Sequence, residues 1–294
     1  MIALLTASLF EKCLLWLSDK KEIPFILTAA FLIFLLSNQI SKAFFWTSHQ
    51  QLFNIFCPLF CLKIGLNRRS LFTTNHKQYS IIIFCGLLVL LYGSFWLLLP
   101  TILYSYYMYK KSLGDVKQGR LLLAFSRIIA LFLLPTMVWL TFLKANGVAF
   151  YSYEVEHYRQ FVWIMDAFNA SIATLMHSGL ENTINFFATF KQLLLYSCFL
   201  LFSLLFIYRG SLRFEESYDQ FGRGLLTFII LSFIPFFWLL GYYADRLTFS
   251  IAPLLVIFIG YLALKQKQEN TNLLWLSSSI LWQVYNITSY GPFS

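Results

Sequence analysis

Residues 121–143 read LLLAFSRIIALFLLPTMVWLTFL, with Arg127 the one charge in the run. An apolar stretch of about 18 residues or more is long enough to carry a helix across the roughly 30 Å hydrocarbon core of a bilayer. Any fold of this chain must hide that surface in lipid or in a partner. The pattern recurs at 24–40, 80–107, 190–208, 225–243, 247–264 and 273–290. Two further segments are weaker. Residues 4–17 are short, and 43–66 are interrupted by His49, Gln50, Gln51 and Asn54, so each reads as a span or an interfacial helix. At about 20 residues per crossing, the chain has room for about seven to nine transmembrane helices. The expected fold class is therefore all-α: a polytopic integral membrane protein with an external amphipathic loop or helix.

Composition agrees. Hydrophobic residues make up 59% of the 294 and charged residues 12%, against about 25% charged in ordinary soluble domains. No internal repeat or low-complexity linker interrupts the chain, so residues 1–294 are expected to form a single transmembrane domain. The first seventeen residues carry Glu11 and Lys12, and no small-x-small site precedes Asp19, so no cleaved leader is expected. The five cysteines lie in apolar runs without His or carboxylate neighbours to complete a metal site, and they read as small packing residues.

The net charge of +9 comes from basic residues set between apolar runs. That placement argues against nucleic acid as a partner. It fits topology control by the positive-inside rule, or recognition of anionic headgroups and lipid-linked phosphates. Lys110, Lys111, Lys117 and Arg120 stand against Asp115, which puts 110–120 in the cytoplasm. Residues 144–188 then form an extracytoplasmic loop, 209–224 return to the inside, and Lys265 and Lys267 mark the inner side again. One conflict remains. Lys63, Arg68, Arg69, His76 and Lys77 form a second basic loop, separated from the first by 80–107 alone. At 1.5 Å per residue that run is about one tilted crossing and too short for two. Either the rule is violated at 63–78, or Arg68 and Arg69 form an external cationic patch suited to a phosphate.

Two constellations carry chemistry. Asp245 and Arg246 join two strong spans with almost no loop. They form either a turn, Asp245 capping the next helix while Arg246 snorkels, or an external grip on a diphosphate. The loop 144–188 holds Tyr151, Tyr153, Glu154, Glu156, His157, Tyr158 and Arg159, then Asp166, Asn169, His177 and Glu181. It is either a solvated loop with a surface helix or a sugar-handling face, since rings stack on pyranoses and carboxylates accept hydroxyls. In the second case His157 or Glu156 could serve as general base for a sugar hydroxyl, and His177 could do the same. Arg127 reads as a residue snorkelling to the inner headgroups. There is no Walker loop, dinucleotide fingerprint, HExxH or serine elbow, so no cofactor and no metal are expected.

Residues 224–255, a span, then Ala-Asp-Arg-Leu, then a span opening on a Pro-Leu step, resemble the EpsG/Wzy-type polysaccharide polymerases. The match rests on Asp245, Arg246, Leu247, Pro253 and Leu254, with Ser250 where the family usually has Tyr. His177-Ser178-Gly179 is similar to a Ser-Gly element of the family, with Thr183 at the place of its Arg. The resemblance covers about the C-terminal third. It implies an enzyme of the bacterial inner membrane that polymerises undecaprenyl-diphosphate-linked oligosaccharide repeats into O-antigen, capsule or exopolysaccharide, without metal. Its partners would be the lipid-linked oligosaccharide, membrane lipids and a chain-length regulator protein. Arg246, Asp245, Arg159, Arg68, Arg69 and His177 would hold the substrate and its diphosphate, and His157, Glu156 and Asp166 would be the catalytic residues, with the base among them. Competing expectations are a lipid-linked sugar flippase and a non-catalytic membrane subunit of a secretion or assembly machine.

Overall fold

A computed structural model of the chain describes residues 2–18, 22–36, 52–73, 75–148, 169, 171–189, 218–240, 252–265 and 269–290. All the described elements are helical, as the apolar runs require, and no strand occurs among the described residues. In chain order they are α1 (Ile2–Ser18), α2 (Phe25–Leu36), α3 (Leu52–Leu66), α4 (Arg68–Phe72), α5 (Asn75–Leu91), a 3-10 segment (Gly93–Leu97), α6 (Leu98–Ser112), α7 (Gln118–Ala145), α8 (Ile172–Thr189), α9 (Tyr218–Leu240), α10 (Ala252–Lys265) and α11 (Glu269–Tyr290). The sequence shows no domain boundary, yet the chain divides into two compact units. One takes Met1–Leu66, Phe190–Ile230 and Asp245–Ser294, and the other Asn67–Thr189 and Leu231–Ala244.

In the first unit α1 packs on α3 and α10, and α2 packs on α11. Its core is made of Phe10, Leu14, Leu27, Leu62, Ile257, Trp275 and Trp282, all buried. Gly260 lets α1 come close: a Cβ there would lie 3.2 Å from Leu14 Cδ1 and 3.5 Å from Phe10 Cζ. Small residues at such crossings are the usual means by which helices pack without a water-driven force between them. Cys13, Cys57 and Cys61 are buried here, and Cys85 is buried in the second unit, consistent with packing roles. Cys198 lies outside the described residues.

The second unit corrects one expectation. The run 80–107 is not one continuous helix. It breaks at Tyr92, whose φ of −159° and ψ of 133° are extended, and continues as the 3-10 segment and α6. Pro100 falls in the first turn of α6, where its missing N–H interrupts no helical bond. The two arms lie side by side as a hairpin. Phe72, in the short helix just before α5, meets Tyr106 and Tyr109 near the far end of α6, with ring centroids 5.2 and 5.7 Å apart. The helices run into polar sequence at both ends of the apolar run. The hairpin extends from Asn75 to Ser112, not from 80 to 107, and α5 alone is about 25 Å long at 1.5 Å per residue.

α7 runs alongside α5 in the same direction. Gly86 of α5 sits against the Phe132 carbonyl of α7, and a Cβ there would also lie 3.2 Å from Pro135 Cδ. Trp96, just past the hairpin tip, stacks obliquely on Phe132 at 5.8 Å. Away from these contacts α7 turns its apolar side chains outward. Leu122, Leu123, Leu134, Met137, Val138 and Phe142 are exposed, and only 17% of its apolar window is buried. This helix is long and apolar enough to cross a membrane.

α8 shows the same inversion. Ile172, Met176, Leu180, Ile184 and Phe187 form an exposed stripe at helical spacing, while Asn182 and Phe186 are buried. The inward polar groups are bonded: Asn182 Nδ2 donates to the Trp238 carbonyl at 2.9 Å, and Trp238 Nε1 donates to Thr183 Oγ1 at 3.0 Å. α8 is thereby tied to the C-terminal part of α9.

The Gly86 contact predicts a clear contrast. Gly86→Leu should destabilise the protein by about 1–3 kcal/mol or more, because the obstacle is backbone and cannot rotate away. Gly93→Ala, where a Cβ meets nothing within 4 Å, should change stability by less than about 0.5 kcal/mol. Thermal unfolding in detergent, followed by tryptophan fluorescence, checks both; equal Tm values for the two variants would contradict the packing described.

Candidate functional site

Most basic side chains of residues 67–148 gather where the hairpin opens. Residues 67–120 hold Arg68, Arg69, Lys77, Lys110, Lys111, Lys117 and Arg120 against the single carboxylate Asp115. Local folding explains part of the arrangement. α6 ends in a Schellman motif: Gly114 adopts φ +71°, its N–H donates to the Lys111 carbonyl, and the Asp115 N–H donates to the Lys110 carbonyl, both at 3.1 Å. A left-handed residue at this position suits glycine, and the motif satisfies the last carbonyls of the helix. It also folds Asp115 back on the helix end. Asp115 Oδ2 lies 3.3 Å from Lys110 Nζ, and Oδ1 lies 3.9 Å from Arg120. Lys110 and Lys111 in the last turn of α6 also complement the negative end of its dipole.

Tyr106 organises the interior side. Its ring packs edge-on against Phe72 of α4, lies 6.3 Å from Phe125 of α7 and stands 5.9 Å beneath Lys110 Nζ. Between the opening of α5, the end of α6 and the first four turns of α7 lies a cavity of about 360 Å³. Its polar rim is formed by Gln78, Tyr79, Lys110, Asp115, Arg120 and Arg127, and Ile128 and Leu131 supply an apolar wall. On α7 the lining residues Arg120, Ala124, Arg127, Ile128 and Leu131 recur at three- and four-residue spacing, one face of a helix. Lys117 precedes α7 without a side-chain cap on its first turn.

Of the residues singled out from sequence, Arg68 and Arg69 lie on α4, which packs on both α5 and α6. Arg69 is exposed, Arg68 half-buried, and the Arg69 carbonyl accepts a hydrogen bond from Thr73 Oγ1. Neither lines the cavity, but both belong to the end of the unit that carries Lys110. His177 is exposed on α8 and does not line the cavity. Glu156, His157, Arg159, Asp166, Asp245 and Arg246 lie outside the described residues. Among the described residues no three His, Cys, Asp or Glu side chains gather into a group able to hold a metal.

Sequence reading treated Lys110, Arg120 and Arg127 as topology markers and did not join them to Gln78, Tyr79 and Tyr106. The Arg120-Arg127-Leu131 spacing was visible. What was missing was the hairpin, which returns 106–110 to 78–79. No family model, no curated protein and no solved structure matches this chain.

Because the Asp115 pairs are partly solvated, with Asp115 itself 38% exposed, they contribute little to stability. Asp115→Asn should shift unfolding free energy by less than about 1 kcal/mol. Thermal melts at low and high salt read this; a larger loss that disappears in salt would mean the pairs hold the turn together.

Proposed function

We propose that the chain is a multi-pass protein of the bacterial inner membrane with about seven to nine crossings, and that it polymerises undecaprenyl-diphosphate-linked oligosaccharide repeats. The membrane half is supported by the inverted surfaces of α7 and α8. A core helix of a soluble protein hides its apolar face, whereas α7 leaves most of its window open. Exposed contiguous apolar surface of this kind is stable only against lipid or a partner.

In this reading α5 and α6 each cross the bilayer. The basic loops 63–78 and 110–120 then share one side, and the positive-inside rule holds at both. Arg68 and Arg69 join the cytoplasmic collar and leave the list of external cations. Arg246 and Arg159 remain to hold the diphosphate as charge develops on it, with His157, Glu156 and Asp166 as candidates for the base that takes the acceptor hydroxyl proton.

One observation carries the catalytic half beyond the resemblance at 224–255. Asn182 and Thr183 of α8 bind Trp238 near the end of α9, and Trp238 stands seven residues before Asp245. α8, which follows the loop 144–188 in the chain, is therefore packed beside the end of α9, and α9 precedes Asp245-Arg246 in the sequence. A glycosyl-transfer site needs acceptor-binding and diphosphate-binding segments near each other.

Arg246→Ala should abolish long-chain glycan and leave single repeats on the carrier or core. A normal ladder of polymer lengths on a gel of the mutant's glycan would sink the polymerase reading. Sidedness is read separately. In a background with the native cysteines replaced, Arg69→Cys and Lys111→Cys should label with an impermeant thiol reagent from the same side, the cytoplasmic one. Labelling from opposite sides would remove the paired crossing of α5 and α6.

A further inference from the structure

The cavity at the open end of the hairpin serves no step of the proposed polymerisation, whose reacting groups the proposed topology assigns to the other side of the membrane. We propose that it is a binding site for a phosphate-bearing amphiphile of the inner leaflet, with the phosphate held by Lys110, Arg120 and Arg127 and the apolar tail laid along α7. The inference rests on the reading that this unit sits in a bilayer.

Charge is the first argument. Three cations line the cavity against one carboxylate. Asp115 engages Lys110 and Arg120, while Arg127 has no ion-pair partner among the described residues. No other carboxylate occurs in 67–148, so that stretch does not offset its own excess. A concave site walled by apolar groups focuses such a field on a counter-ion.

Geometry is the second. A row of basic side chains on a flat surface needs no ligand beyond the headgroup layer. Here the cations come from two helices and converge across a cavity, with the Tyr79 hydroxyl and Gln78 amide supplied by a third. Arg120, one of these cations, lies in the first turn of α7, at the positive end of a 28-residue helix. The fork of an arginine matches phosphate oxygens in pairs.

Polarity along the cavity is the third. Arg120 lies at the mouth. Arg127 is about 10 Å further along α7 at 1.5 Å per residue, and Leu131 about 6 Å beyond that. Leu121, Leu123 and Ala124 line the cavity between the two arginines, and beyond Arg127 the lining is apolar, at Ile128 and Leu131. A free phosphate would use only the mouth. A lipid phosphate uses both parts, its head between Lys110 and Arg127 and its chain against Ile128 and Leu131. A phospholipid monoester and a polyprenyl diphosphate share this chemistry, and the experiment separates them.

The test uses the full chain purified in a neutral detergent. Binding is followed by thermal shift and native mass spectrometry with four probes: short-chain phosphatidic acid, farnesyl diphosphate, inorganic pyrophosphate and short-chain phosphatidylcholine. Phosphatidic acid, farnesyl diphosphate or both should bind at least about tenfold more tightly than pyrophosphate and phosphatidylcholine, as expected if head and tail both contribute. Preference between the first two identifies the source. Lys110→Gln with Arg127→Gln should weaken that binding about tenfold or more. Lys111→Gln with Lys117→Gln, in the same collar but outside the cavity, should change it less than about twofold. Asp115→Asn should tighten binding by releasing both cations, a gain that misfolding cannot imitate. Equal losses in the two double variants would mean a diffuse surface potential and overturn the site. Equal affinity for pyrophosphate would overturn the lipid assignment. Recovery of the chain in the soluble fraction after a carbonate wash of membranes would defeat the membrane reading itself. Membrane retention without lipid binding would defeat the site alone.

Discussion

Gly86 has no side chain, and the carbonyl of Phe132 occupies the place one would need. This single approach of two backbones sets the second unit. It holds α5 against α7 over their middle turns and brings Pro135 against the same glycine. It also leaves Phe132 free to receive Trp96 from beyond the hairpin tip. With α5 held in line with α7, the break at Tyr92 can only return α6 between the basic ends. The meeting of Phe72, Tyr106 and Tyr109, and the cavity rimmed by Lys110 and Arg120, follow from that return. Small residues do this work well where water supplies no drive to associate and dispersion contacts dominate.

The second organising constraint is the inversion of surfaces. α8 turns Asn182 and Thr183 inward to Trp238 and leaves Ile172, Met176, Leu180, Ile184 and Phe187 outward. In water this arrangement loses twice, since apolar area stays wet and polar groups are desolvated. In lipid both terms change sign: the outward face needs no water, and the inward polar groups find partners they would otherwise lack. α7 obeys the same logic with a longer and more apolar face. The membrane assignment therefore draws on two kinds of observation, the runs in the sequence and the direction in which the folded helices present them.

These two constraints meet at the collar. A hairpin that returns to its starting side gathers every basic residue of 67–120 at one end, and with them the one carboxylate available to offset them. Asp115 answers only part of that charge. The remaining excess faces a cavity whose wall is already apolar at Ile128 and Leu131, and this gives the collar a chemistry more specific than orientation.

Sequence by itself determined that the described elements are helical and that 121–143 forms a long helix, because a long apolar run with a single charge allows few backbone solutions in any apolar medium. It determined the packing role of Cys13, Cys57, Cys61 and Cys85, and it marked Arg120, Arg127 and the two basic loops by their charge. By length it read 80–107 as a single span and did not show the break within it. The turn-back of the chain rests on Tyr92 taking an extended backbone and on Gly86 meeting Phe132, and neither residue stands out in a run of apolar neighbours. The same limit hid the cavity, since Gln78 and Tyr79 lie roughly thirty residues from Lys110 in the chain and are joined to it only by the hairpin. Periodicity reports which face of a helix is apolar; which helix that face meets depends on backbone approach distances. For this reason the elements were legible in the sequence, while the pairing that builds the basic end was decided by tertiary structure alone.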